Sequence, residues 1–370
     1  MDEDDIKRDF DRFSGLTPPV KRAAYSDRTA WLMAILAELA YTRFDQEDDS
    51  SLLSMAAELA ELTDQEEIAE RLKKLGQVLE NRDNSENKIL RGLLDAGGFE
   101  LKGVLFDEKT DTQGYVAVRR DSSGAGLGMA VVVFRGTQQF LDWKTNMNTE
   151  AVPVYSTGNA SGAQLGQVHK GFNTAFLSVM NQIEDLLKGE EDLPRYHCGH
   201  SLGGALATLA TWYTKGEKLA ACYTFGAPRV GDDGLSDRFR TPIYRIVNGA
   251  DPVPFVPPSG KTISVLKVVV RAVGTVITPV NLAANWLVKR QGYRHYGYQR
   301  YLTICEPGPD GSYPDLKNEH GISALDRLYR FAKGWFEEDG SGRKRIDKYH
   351  NMAEYRVKLR VYAKRRQQDL

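Results

Sequence analysis

The stretch RYHCGHSLGGALATLA, residues 195–210, constrains the fold more tightly than any other part of the chain. Arg195 to Cys198 reads as a short strand and Leu202 to Tyr213 as an alanine-rich helix. Between them Gly199-His200-Ser201-Leu202-Gly203 leaves room only for a tight turn. Glycine on both flanks lets such a turn close without steric clash and leaves the hydroxyl of Ser201 exposed at its tip. The helix behind it adds a positive field and the free N–H of Leu202, where an oxyanion would form. A serine here is either a helix cap in a Gly-rich turn or a nucleophile. The order strand, turn, helix favours the nucleophile.

That junction needs a sheet around it, and the chain supplies one. Three β-rich runs, LKGVLF (101–106), GYVAVRR (114–120) and GMAVVVF (128–134), precede it, with turn residues at Asp121-Ser-Ser-Gly that predict a hairpin between the last two. Helical and strand patterns then alternate: helix 171–188, strand 195–199, helix 202–215, strand 219–225, strand 242–248. Such alternation predicts an α/β fold with a mostly parallel central sheet flanked by helices. Residues 1–370 are read as one domain. Residues 1–95 form a helical N-terminal region, with helices over 20–42, where Trp31, Leu32, Ile35, Leu36 and Leu39 make an apolar stripe, and over 51–80. Gly-, Ser- or Pro-rich stretches at 156–165, 306–315 and 337–343 read as surface loops.

A serine alcohol attacks only when a base takes its proton, and the base needs an acid to fix its tautomer. Around an elbow of this kind the partners follow the serine, acid first and histidine last. His169, His197 and His200 are thereby excluded as the base by order or by position within the elbow, and His295, His320 and His350 remain. For the acid, TPIYRIVNGADPVPFVPP (241–258) places Asp251 just past a strand, on the edge where α/β sites lie, with Pro252 holding it out of a helix. Asp232 and Asp233 are rivals, but they follow the preceding strand. For the base, His350 lies after the loop EEDGSGRKR and before a helical pattern, which suits delivery to the sheet's edge. His295 sits in the aromatic cluster YRHYGYQRY, where packing explains a histidine, and His320 lies in a polar loop. The second oxyanion donor is expected after an earlier strand: Val131–Phe134 runs into Arg135-Gly136-Thr137, where Gly136 permits close approach and Thr137 offers a backbone N–H and a hydroxyl.

Composition narrows the function classes. A formal net charge of −1 argues against nucleic acid as a partner. Positive charge is concentrated at 343–366, where ten Lys or Arg face two acids; this reads as a solvated helix face or a surface for anionic lipid headgroups. Cys198, Cys222 and Cys305 show neither a disulfide framework nor metal-ligand spacing, and no metal or organic cofactor is expected. The acidic start MDEDDIKRDF has no apolar signal-like run, so the expectation is a cytoplasmic or membrane-peripheral protein, with a removed signal or non-classical export left open. Residues 259–291 form an apolar insertion. Its longest uncharged run, 272–288, holds 17 residues, short of the ~20 a bilayer span needs, and an apolar cap or interfacial segment is expected instead.

Together VVVFRGT (131–137), Asp142-Trp143 with Asn146, VHKGF (168–172), GHSLGGALA (199–207), FGAPRVGD (225–232), VNGADPVPFVPP and the late YHNMAEY (349–355) resemble the class 3, fungal-type lipase family, with LMAILAELAYTRF fitting upstream. The resemblance implies an α/β-hydrolase fold with a lid. It also implies Ser201 as nucleophile, Asp251 as acid, His350 as base, and Thr137 with Leu202 as oxyanion donors. The function it implies is hydrolysis of lipid acyl esters of the triacylglycerol lipase or carboxylesterase type. Phospholipase A1 or galactolipase action is the alternative, and a catalytically silent lipid- or protein-binding module is a third reading. Either 138–167 or 259–291 is expected to be the lid. Expected partners are a lipid ester and a membrane or lipid interface contacted peripherally.

Overall fold

A computed structural model describes residues 23–41, 86–120, 128–137, 150–155, 162–214, 219–257, 292–309, 311–336 and 348–368. Helices α1 (Asp27–Leu39) and α2 (Glu86–Ala96) lead into strands β1 (Glu100–Asp107), β2 (Thr112–Arg119) and β3 (Met129–Phe134). A hairpin of β4 (Ala151–Tyr155) and β5 (Gln164–His169) precedes helix α3 (Lys170–Leu186). Then come β6 (Arg195–His200), α4 (Leu202–Tyr213), β7 (Leu219–Phe225), β8 (Ile243–Asn248), β9 (Tyr298–Leu302), β10 (Asn318–His320), α5 (Ala324–Phe336) and α6 (Met352–Gln368).

Eight strands form one sheet in the order β1-β2-β3-β6-β7-β8-β9-β10. The central run β3, β6, β7, β8, β9 is parallel, and antiparallel strands close both edges. The fold is therefore an α/β-hydrolase sheet. Its central strands are apolar almost throughout, as strands covered on both faces must be; all six residues of β3 and all seven of β7 are buried. On one face Val131, Val133, Tyr223 and Ile246 pack with α1, α2 and α6; on the other Val132, Phe134, Cys222 and Ile243 pack with α3 and α4. The alternation of neighbouring residues between the two clusters is the pleat of the strands made visible.

The structure corrects four expectations. Among the described residues α1 is narrower than 20–42: Ser26 ends it by accepting from Thr29 N–H at 3.3 Å. It also has no single apolar stripe, because it lies between the sheet and α6 and is buried all round from Ala30 to Leu39. His320 ends edge strand β10, which pairs with Arg300–Leu302, and is not in a loop. The basic C-terminal run is largely internal. Arg356 forms a buried ion pair with Glu38 at 2.7 Å, Lys358 is buried on Asn248 Oδ1 at 2.9 Å, and Arg365 donates to the Leu316 and Tyr313 carbonyls. The helix expected at 51–80 and the insertion 259–291 lie outside the described residues, as do 138–149 and 156–161 of the first lid candidate; 151–155 and 164–167 belong to the β4–β5 hairpin. Among the described residues no helix is long and apolar enough to cross a membrane.

Candidate active site

Strand β6 ends at His200, helix α4 begins at Leu202, and Ser201 alone makes the turn. Its backbone sits at φ 56°, ψ −126°, a conformation that costs a non-glycine residue about 1–3 kcal/mol. The turn is held by Ser201 N–H donating to Phe225 O at 2.9 Å and by Gly204 N–H donating to Ser201 O at 3.0 Å. Both glycines of the motif are sterically required. A Cβ on Gly199 would lie 2.4 Å from the Gly203 carbonyl, and one on Gly203 would lie 2.1 Å from the Phe134 carbonyl. The Ser201 side chain makes no capping bond to α4, which leaves its hydroxyl for another partner.

That partner is His350. Its Nε2 lies 2.8 Å from Ser201 Oγ, and its Nδ1 lies 2.9 Å from Asp251 Oδ2. A carboxylate only accepts, so Nδ1–H donates to Asp251 and Nε2 is left to accept from the serine hydroxyl. All three residues are buried, Asp251 completely. The sequence separations are 99 and 149 residues, so the cluster exists only in the folded chain.

Asp251 is held by more than the histidine. Val253 N–H donates to its Oδ1 at 2.9 Å, and the Tyr355 hydroxyl donates to Oδ2. Burial and the adjacent carboxylate push the Tyr355 phenol well above its ordinary range, so it keeps its proton and acts as a donor. Asn248 N–H in turn donates to the Tyr355 oxygen at 3.0 Å. Gly226, at φ +55°, makes room for this junction. A Cβ there would stand 2.5 Å from Asp251 Oδ2, 2.9 Å from Tyr355 Oη and 3.0 Å from His350 Nδ1.

A second layer lies behind the turn. The His200 ring sits 4.5 Å from the His350 ring, and its Nδ1 is 2.8 Å from the Tyr41 hydroxyl. Burial, with His350 beside it, pushes the His200 imidazole well below its ordinary range and keeps it neutral. The Tyr41 hydroxyl also meets Gly136, where a Cβ would fall 2.2 Å from it and 3.1 Å from Ser201 Cβ. Gly136 therefore brings the residue after it, Thr137, to the corner that Ser201 and the start of α4 occupy. Leu202, first in α4, has no carbonyl of its own helix to accept its N–H.

The remaining candidates are engaged elsewhere. His295 is held at 2.6 Å by the Pro254 carbonyl, His197 by Thr211 Oγ1 at 3.1 Å, and His169 caps α3 by accepting from Phe172 N–H at 3.3 Å. Asp232 accepts from Gly234 and Gln167 N–H, and Asp233 pairs with Arg294. Tyr355, Gly226, His200 and Tyr41 were not assigned roles from the sequence. Gly226 and His200 lie inside the motifs FGAPRVGD and GHSLGG, while Tyr41 and Tyr355 become part of the site only through tertiary packing.

Residues 131–261 match the family model described as Lipase (class 3). Among curated proteins the chain is 33% identical over 168 residues to phospholipase A(1) DAD1, chloroplastic, of Arabidopsis thaliana, covering 39% of this chain and 38% of that protein. It is 31% identical over 164 residues to secreted mono- and diacylglycerol lipase 1 of Fusarium solani, covering 42% and 46%. The match thus spans less than half the length of these two relatives. A solved structure of Rhizomucor miehei triacylglyceride lipase aligns at 21% identity and TM-score 0.45, over 84% of this chain and 96% of that one.

Proposed function

From a chain that carries a class 3 lipase segment at residues 131–261, we propose a serine hydrolase of lipid acyl esters. The observation that carries the reading is the continuous hydrogen-bond line from Ser201 Oγ through His350 to Asp251, at 2.8 and 2.9 Å. Neutral His350 takes the hydroxyl proton at Nε2 as Oγ attacks the ester carbonyl. Asp251 fixes the tautomer by accepting from Nδ1 and stabilises the imidazolium that forms. The tetrahedral oxyanion is stabilised by the N–H groups of Leu202 and Thr137. His350 then protonates the departing alcohol, and a water activated by the same nitrogen releases the acyl group from Ser201.

The substrate we assign is a glycerolipid acyl ester, met at a lipid surface that the protein contacts peripherally. An exposed pair on α5, Leu325 and Tyr329, supports such contact, since Phe331 of the same helix packs on Phe255 beside the acid loop. Phospholipase A1 action is the second reading, favoured by the relative at 33% identity that bears that name.

Labelling by a fluorophosphonate probe tests the chemistry. The wild type is expected to label and the Ser201→Ala chain to remain unlabelled, with hydrolysis falling at least about 10⁴-fold. An unlabelled wild type, or equal labelling in Ser201→Ala, overturns the hydrolase assignment. Rates on diacylglycerol against phosphatidylcholine vesicles then separate the two substrate readings.

A further inference from the structure

The unusual polar cluster of the molecule lies on the face of β8 and β9 turned away from α6. Arg229 and Arg327 are buried, and Arg245 is largely enclosed between them. Arg229 donates to the Phe255 and Pro257 carbonyls, while Arg327 stacks on the Phe255 ring and donates to Gln299 Oε1 at 3.1 Å. Several donors are left over. Arg245 Nε and Nη1, Arg327 Nε, Gln299 Nε2 and Arg300 Nε are all shielded from solvent and have no hydrogen-bond partner among the described residues.

The charge is as unbalanced as the hydrogen bonding. Burial first, and neighbouring guanidiniums second, push Arg229 and Arg245 down to about 9, which still leaves both cationic at neutral pH. Arg327 also feels the carboxylate of Asp251, but that group already accepts from His350, Tyr355 and Val253. Uncompensated buried charge is strongly unfavourable, and native proteins leave few donors unpaired. These groups border an empty space. A cavity of about 1380 Å³ wraps round the first residues of β8 and β9 and is lined by Arg240, Arg245, His295, Gln299 and Arg300. Gln299 and Arg300 are consecutive in a strand and so approach it from opposite faces.

We propose that this cavity binds a phosphate group, held by Arg245, Gln299 and Arg300 with Arg327 behind them. Water could satisfy the stray N–H groups but not the charge, and a halide could meet the charge but not five donors in different directions. A phosphate offers up to two charges and several acceptor oxygens, and guanidinium forks match it bidentately. The group could come from inorganic phosphate or from a lipid headgroup. The assignment does not depend on the hydrolase reading, since none of these lining residues belongs to the Ser201 cluster.

The test uses the full chain carrying Ser201→Ala, so that no lipid is consumed. Calorimetric titration with inorganic phosphate is expected to show one saturable site, and at a hundredfold excess over Kd phosphate raises Tm by roughly 3–4 °C. Chloride at equal ionic strength does not. Adding Arg245→Met is expected to weaken phosphate at least about 10-fold, whereas Lys188→Gln on a distant exposed turn leaves it unchanged. Monomeric dihexanoyl phosphatidate competing at least about 10-fold more tightly identifies a lipid headgroup as the source; equal or weaker competition identifies free phosphate. Absence of saturable binding overturns the proposal, as does an Arg245→Met protein that binds phosphate like its parent. If Arg245→Met does not fold, Arg300→Gln and the isotherm of the unmutated cavity decide the same question.

Discussion

The two faces of strand β8 bury charge in opposite ways. On the α6 face Asn248 is completely paired: its N–H donates to Tyr355 Oη, its Nδ2 to the Tyr349 carbonyl, and its Oδ1 accepts from Lys358 Nζ. Three residues earlier and on the opposite face, Arg245 keeps Nε and Nη1 without partners. Both faces contain buried cations, so burial alone does not distinguish them. Pairing does, and it separates a scaffold that is finished as folded from one that waits for another group. In the scaffold face the polar groups set the geometry of Asp251 and His350; on the other face they surround a cavity.

The most severe way to break the paired face is through the room it needs. Gly226→Ala puts a methyl group 2.5 Å from Asp251 Oδ2 at a backbone angle that alanine tolerates poorly. The acid and histidine must separate, and kcat is expected to fall at least about 10³-fold while Ser201 stays in its turn. Steady-state kinetics with circular dichroism checks this. A folded variant with kcat within threefold of wild type shows that the junction is looser than its contacts indicate.

The comparison itself is sharpened by making one substitution on each face. Lys358→Met leaves Asn248 Oδ1 unsatisfied in a buried site and is expected to cost about 1–3 kcal/mol. Arg245→Met removes an enclosed, unpaired cation that neighbouring guanidiniums repel, and in phosphate-free buffer it is expected to stabilise by roughly 1 kcal/mol. Urea unfolding at pH 7 measures both. Changes of the same sign, both destabilising, would mean that the two faces do not differ in the way their hydrogen bonding indicates.

What was legible from residues alone follows the range of the interactions. The turn at Ser201 is local: strand, glycines and helix lie within one short stretch, and the motif reports its own geometry. Asp251 was legible because Pro252 and the end of β8 adjoin it in the chain. His350 was placed only by order and by a loop before it, although it lies nearest the serine. Tyr355 could not be singled out, because its reason for being there is a carboxylate 104 residues away. The charged helix α6 misled for the same reason. Arg356 and Lys358 look solvated until Glu38 and Asn248 are brought to them from 318 and 110 residues away. Edge strand β10, with the polar sequence Asn-Glu-His, carries no alternation to read and forms because β9 offers it a free edge.

A residue between the two regimes supplies the finest test. His169 accepts from Phe172 N–H through Nδ1 and stacks on the Phe172 ring at 4.0 Å, but its buried Nε2 has no partner among the described residues. Burial pushes this imidazole down to about 4. The unfolded chain, with a histidine near 6.5, therefore binds more protons than the folded one between those values. The contribution of neutral His169 is complete above pH 6.5 and is lost as pH falls towards 4, with a slope of at most about 1.4 kcal/mol per pH unit. His169→Asn keeps a good helix-capping acceptor while removing the titration. At pH 7 it is expected to cost no more than about 1 kcal/mol, mainly through lost stacking. Between pH 6.5 and 4 its stability should fall less steeply than that of the wild type, by close to one proton. Urea midpoints across that window measure the difference. Parallel curves would place a proton-accepting partner at Nε2 and move His169 to the paired side of the comparison.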